Sequence, residues 1–63
     1  MVTIKINDIN KGDYLHFFYA GNGEWITCWV AEVHANYIKV YNQDKNAYRC
    51  YRKSQISDIE LRQ

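Results

Sequence analysis

The 63-residue chain predicts an all-β fold: a small barrel of five or six short antiparallel strands, with a 3₁₀ turn before the last strand. Three observations predict it. Short runs rich in β-branched and aromatic residues alternate with period two. Turn chemistry separates these runs: Gly12-Asp13, Asn22-Gly23 and the polar segment Asn42 to Asn46. A chain this short also has little material to cover sheet edges, and closure into a barrel removes them.

The opening "VTIKI" places Val2, Ile4 and Ile6 on one face and predicts a first or edge strand. "NKGD", Asn10 to Asp13, is a turn. In "YLHFFYA", Leu15, Phe17 and Tyr19 share one face and Tyr14, His16 and Phe18 the other. "AGNG", Ala20 to Gly23, supplies the Asn-Gly pair suited to positive φ. The longest extended segment runs from Trp25 to Ala35. Trp25, Thr27, Trp29, Ala31, Val33 and Ala35 fall on one side; Ile26, Cys28, Val30, Glu32 and His34 fall on the other. Both sides begin apolar, which predicts a long bent strand with a bulge that changes which side points inward. A helix competes for this segment, but the density of Ile, Thr, Val and Trp and the missing capping box favour a strand.

"HAN", His34 to Asn36, turns the chain into "YIKVYN", with Ile38 and Val40 inward and Tyr37, Lys39 and Tyr41 outward. Asn42 to Asn46 is a hairpin loop. "AYRCYRK" is a further strand, with Tyr48 and Cys50 opposite Arg49 and Tyr51. A 3₁₀ turn is expected at Ser54 to Ser57, capped by one of those serines, with Ile56 plugging the barrel end. A last strand is expected at Ile59 to Leu61. Ala31, Val33, Ile38 and Val40 are the expected core of the central strands.

Residues 1–63 make one domain near the lower size limit for unaided folding. Large rings help a chain of this size, since each removes ~150–250 Å² from water. The ten aromatic residues therefore have a structural use before any functional one. The net charge of +1 is too balanced to indicate nucleic-acid binding, which requires several phosphates to be neutralised. Cys28 and Cys50 form no disulfide framework and no CxxC pair, and with His16 and His34 they lack zinc-site spacing. No apolar run is long enough for a signal peptide or a membrane span, and a reducing cytoplasm is the expected compartment. No cofactor or metal is expected. Neither histidine has a nucleophile and an orienting acid at recognisable spacing, so an enzyme is not expected.

The Gly12-Asp13 turn, the apolar pair Leu15 and Phe17 and the strand-ending Tyr19 begin a longer pattern. Trp29, Ala31 and Val33 follow as aromatic-x-Ala-x-Val, then Val40-Tyr41, then the closing Ile56 to Leu61. From Lys11 to Leu61 this resembles an SH3-like small barrel, of the Tudor-like subgroup. The resemblance implies an aromatic cage for a methylated lysine or arginine, held by cation–π contact. Its rings would fall on Tyr19, Trp29 and Tyr41, with an amide at Asn46. Where the family has an aromatic in the preceding loop, this chain has Asp44, a candidate partner for a cation.

Three readings of function follow. The first is a non-enzymatic module that binds a protein partner through an aromatic surface of Tyr19, Trp25, Trp29, Tyr37 and Tyr41, with Asp44 and Asn46. The second is a nucleic-acid-binding barrel. There Lys39, Arg49, Arg52 and Lys53 hold phosphates and Tyr51 stacks a base. The third is an accessory subunit whose exposed rings are covered in a larger assembly.

Overall fold

A computed structural model describes residues 2–62. The strands are β1 (Val2–Ile4), β2 (Tyr14–Tyr19), β3 (Glu24–Val33), β4 (Tyr37–Asn42), β5 (Ala47–Arg52) and β6 (Ile56–Leu61). Two 3₁₀ turns complete the element list, at Ile6–Asp8 and at Lys53–Gln55. The second lies one residue earlier than the serines suggest, because Ile56 is drawn into the core and begins β6. The first was not legible: the alternation of Val2, Ile4 and Ile6 continues straight through it. It closes where the Asp8 carboxylate accepts the Lys5 N–H.

All six strands form one antiparallel sheet in the order β1-β6-β2-β3-β4-β5. This corrects the expected barrel. β1 pairs only with β6 and β5 only with β4, so the sheet has two free edges and does not close. The SH3-like, Tudor-like resemblance therefore fails at the level of architecture, although the strand count and the late 3₁₀ turn agree with expectation. β1 is only three residues long, and the chain runs from β5 into β6 through the tight Lys53–Gln55 turn. Beside the β5 edge a side chain stands where a ladder would continue: the Tyr19 hydroxyl accepts the Arg52 N–H at 3.3 Å.

Among the described residues no α-helix covers either face; from outside the strands the core receives Ile9, with Ile6 of the first 3₁₀ turn packed against it. Leu15, Phe17, Ile26, Cys28, Ile38 and Val40 nevertheless have almost no contact with water. The chain measures 23 × 21 × 20 Å, so the open sheet bends over its own inner face. Two extra residues assist the bend. Val30 pairs with Val40 and Glu32 with Lys39, leaving Ala31 as the predicted bulge in β3. In β6, Ser57 faces Phe18 and Glu60 faces His16, and the surplus is taken up around Asp58 at φ 52°. Before the bulge, the Ile26-Cys28-Val30 side of β3 is the buried one. Past it the strand nears its end, and Val33 is exposed rather than core. Ile38 and Val40 are buried as expected. Gly12, at φ +92°, makes the turn into β2 and donates its N–H to the Val30 carbonyl at 2.8 Å.

One polar side chain belongs to the core. Asn42 is buried; its amide donates to the Tyr51 hydroxyl at 2.9 Å, and its carbonyl accepts the N–H groups of Asp44 and Lys45. It fixes Tyr51 inside and shapes the β4–β5 loop at once. Tyr51 also lies edge-on to Phe17 and Tyr19, at ring distances of 5.8 and 4.7 Å. Replacing Asn42 by Ala should cost about 1–3 kcal/mol, because it strands a buried hydroxyl and two loop donors. Urea unfolding monitored by tryptophan fluorescence measures this. Tyr51→Phe should cost less, since it leaves the two loop bonds in place.

Candidate functional site

Because β2 to β5 are neighbours in register, side chains of one parity meet in rows on the outer face. Tyr14 faces Trp29, Trp29 faces Tyr41, and Tyr41 faces Tyr48. One row of four aromatic residues thus crosses four strands. Tyr14 and Trp29 rings lie 4.4 Å apart; Tyr41 and Tyr48 meet edge-on at 5.2 Å. A second group lies further along β2 and β3. There Trp25 stacks parallel on His16 at 5.3 Å and tilts against Phe18, while His16 Nδ1 is 2.9 Å from Thr27 Oγ1.

These rings pair with their neighbours and remain open to water: Trp25 is 52% exposed, Trp29 42% and Tyr48 59%, with Tyr14 and Tyr41 half-buried. Such a surface is larger than scattered apolar residues produce. Its polar margin is set locally. Tyr14 donates its hydroxyl to Gln43, and Tyr41 donates to Asn46. Lys39 Nζ stands 5.4 Å over the Tyr48 ring and 3.9 Å from Glu32. The Glu32 carboxyl is held below its usual range, chiefly by its hydrogen bond with His34 at 2.7 Å.

The expected site residues divide between this face and other places. Trp25, Trp29, Tyr41 and Lys39 lie on it. Tyr37 is exposed and stacks on His34 at 4.5 Å, at the end of β4. Tyr19 does not join Trp29 and Tyr41. It has the parity of the inner face, at the far end of β2 from Tyr14, roughly 16 Å along the strand. The three rings expected to form a cage are therefore not brought together. Asn46 holds a turn conformation at φ 54° and accepts the Tyr41 hydroxyl; Asp44 sits exposed in the same loop.

The second expected group is also divided. Tyr51 is a core residue and offers no face for a base; burial pushes its phenol pKa up. Arg49, Arg52 and Lys53 lie along and just beyond the free edge of β5. Arg52 and Lys53 border an open groove of about 860 Å³, between that edge, Tyr19 and the β3–β4 turn. Tyr14 and Tyr48 are the members of the aromatic row that sequence reasoning did not assign to it. Their parity was readable within each strand, but the register that aligns them with Trp29 and Tyr41 was not.

The chemistry available here is that of a contact surface. Among the described residues no three His, Cys, Asp or Glu side chains cluster as metal ligands, and no helix is long and apolar enough to cross a membrane. The cysteines sit in opposite environments. Cys28 is enclosed on the inner face, where burial pushes its thiol pKa up to about 12; Cys50 is exposed on β5. Comparison with family models, with curated proteins and with solved structures finds no match.

A thiol reagent should therefore modify Cys50 in the native protein and reach Cys28 only on unfolding. The raised Cys28 pKa also sets a pH dependence. The folded state keeps the proton that the unfolded chain loses, so this contribution is complete below about pH 9 and disappears as pH rises towards about 12. Denaturant midpoints should fall more steeply over that window in the natural chain than in Cys28→Val, which retains every tyrosine.

Proposed function

We propose that the chain is a non-enzymatic binding module that engages a protein partner through the outer aromatic face of its sheet. One observation carries this reading. The row Tyr14–Trp29–Tyr41–Tyr48 places tryptophan and tyrosine side by side across four strands, with Trp29 and Tyr48 largely in water. Trp and Tyr dominate binding hot spots, because each adds a large contact area at little loss of side-chain freedom. Held on strands and packed against each other, these rings are already ordered, which lowers the entropy cost of association.

The partner surface that fits is mainly apolar with scattered acceptors, since Lys39, Gln43 and the tyrosine hydroxyls rim the row. A protein partner suits this face better than a nucleic acid. Net charge is +1, Lys39 shares Glu32, and Lys45 lies 3.6 Å from Glu24. Few cations are left beside the rings to follow a phosphate backbone. A reducing cytoplasm is part of the proposal; two unpaired thiols on opposite faces of the sheet support it.

The test is affinity capture of the native partner with the natural chain and with Trp29→Ser/Tyr48→Ser. Both positions are exposed and outside the core, so the double variant should stay folded, losing about 1–3 kcal/mol with its two ring pairs. Capture should fall by about tenfold or more, matching the loss of two hot-spot rings. Undiminished capture by the folded double variant would sink the proposed face. Capture of nucleic acid alone, lost steeply with salt, would replace it.

A further inference from the structure

The β5 edge has a feature that the aromatic face does not use. β5 is a six-residue strand with one neighbour, paired to β4 without a bulge from Asn42↔Ala47 to Tyr37↔Arg52. Its backbone direction is fixed at one end. The Arg52 N–H points away from β4 to the Tyr19 hydroxyl, while the next N–H, of Lys53, donates to the Asn36 carbonyl beside β4. Strand alternation then puts the N–H and C=O groups of Tyr48 and Cys50 on the free side with those of Arg52. Arg52 is satisfied by Tyr19. Tyr48 and Cys50 present unpaired backbone donors to solvent, and the Arg49 guanidinium has already folded over the Tyr48 carbonyl at 3.2 Å.

Exposed edges of this kind accept an additional strand unless something blocks them. Here there is no proline, no glycine and no bulge. Beyond the Tyr19 hydroxyl at Arg52, the protection is positive charge, and that charge selects the guest. Arg49, Arg52 and Lys53 lie on or just after the strand, no acidic residue lies between Ala47 and Gln55, and none of the three is in an ion pair among the described residues. The groove of about 860 Å³ beside the edge is lined by Arg52 and Lys53 with Tyr37 and Tyr51, and also contains no acid.

We propose that β5 takes up an extended acidic segment of the partner protein as a seventh strand. The guest's backbone pairs with Tyr48 and Cys50, and carboxylates on the two faces of the added strand meet Arg52 on one side and Arg49 on the other, with Lys53 just past the strand end. This rests on the reading of the chain as a protein-binding module, and it uses the backbone edge of β5 rather than the rings of the aromatic row, the two meeting at Tyr48. A second copy of this chain is the disfavoured occupant, since β5 against β5 would bring the same cations together without a counter-charge.

The probe is a short synthetic Glu/Val peptide of Glu-Glu-Val-Val repeats, which carries carboxylates on both faces of an extended strand, with a Lys/Val peptide of the same pattern as control. ¹⁵N chemical shifts and amide hydrogen exchange are read on the whole chain. In the free protein the Tyr48 and Cys50 amides should exchange quickly and those of Arg49 and Tyr51 slowly. The Glu/Val peptide should shift the two fast amides and slow their exchange by about tenfold or more at saturation. The Lys/Val peptide should do neither.

Cys50→Pro removes an outward N–H while leaving the β4 ladder intact, so it should abolish the response. Arg49→Glu/Arg52→Glu alters only exposed side chains and should transfer the response to the Lys/Val peptide, which keeps the question decidable if the proline variant does not fold. The proposal is overturned if neither amide responds to the acidic peptide. It is equally overturned if protection appears without peptide and grows with protein concentration, or if a single-stranded oligonucleotide binds here and the peptide does not. Shifts confined to the Trp25 and Trp29 indoles would also overturn it, yet would leave the aromatic-face reading standing. Trp25→Ser/Trp29→Ser, which leaves β5 untouched, should weaken capture of the native partner and keep the peptide response, separating the two surfaces the other way.

Discussion

A single sheet with no second layer beyond the short segment of Ile6 and Ile9 can bury only the face it bends toward, and the rest of this molecule follows from that constraint. Leu15, Phe17, Ile26, Cys28, Ile38 and Val40 exclude water by meeting one another across the bend. Every residue of opposite parity is left outside. In most small β domains that outer face is polar. Here it carries Tyr14, Trp25, Trp29, Tyr41 and Tyr48, so the same alternation that makes the core also makes the candidate site. Core and surface are the two sides of one pattern.

The bend needs a lock, and Tyr51 supplies it. Its ring lies between Phe17 and Tyr19, its hydroxyl is held by Asn42, and Asn42 in turn organises the loop that joins β4 to β5. Tyr19 reaches from β2 to the Arg52 N–H on β5, two strands that share no ladder. A side-chain hydrogen bond thus stands at the gap in place of a row of backbone bonds. The bend is kept, and most of the β5 edge is left unpaired. The free edge and the aromatic face meet at Tyr48, whose ring belongs to one and whose backbone belongs to the other.

Much of the strand content was legible because period-two alternation is strong in this chain. Ile38 and Val40 against Tyr37, Lys39 and Tyr41 needed no tertiary information, nor did the Asn22-Gly23 turn or the bulge in the long strand. The errors have a common origin. Val33 reads as core by alternation, but it lies past the Ala31 bulge near the strand end, where the sheet no longer covers it. Tyr51 reads as an available ring beside Arg49 and Arg52, but parity with Ile38 turns it inward. Tyr19, Trp29 and Tyr41 read as one cage by resemblance to a closed barrel. Alternation within β2 puts Tyr19 on the inner face with Leu15 and Phe17, at the end of the strand away from Tyr14 and Trp29.

The sequence by itself determined the strands, most turns and which side chains share a face within each strand, because these depend on local alternation and on backbone conformations that few residues adopt. Only the tertiary structure decided whether the sheet closes, which aromatic residues stand in one row and which edge stays free. Closure and the free edge depend on pairings between strands distant in sequence, β6 with β1 and β2, and the row depends on the register of three successive strand pairs. Register is set where Tyr51, Asn42 and the two bulges lock the bend, and not by any single run of residues.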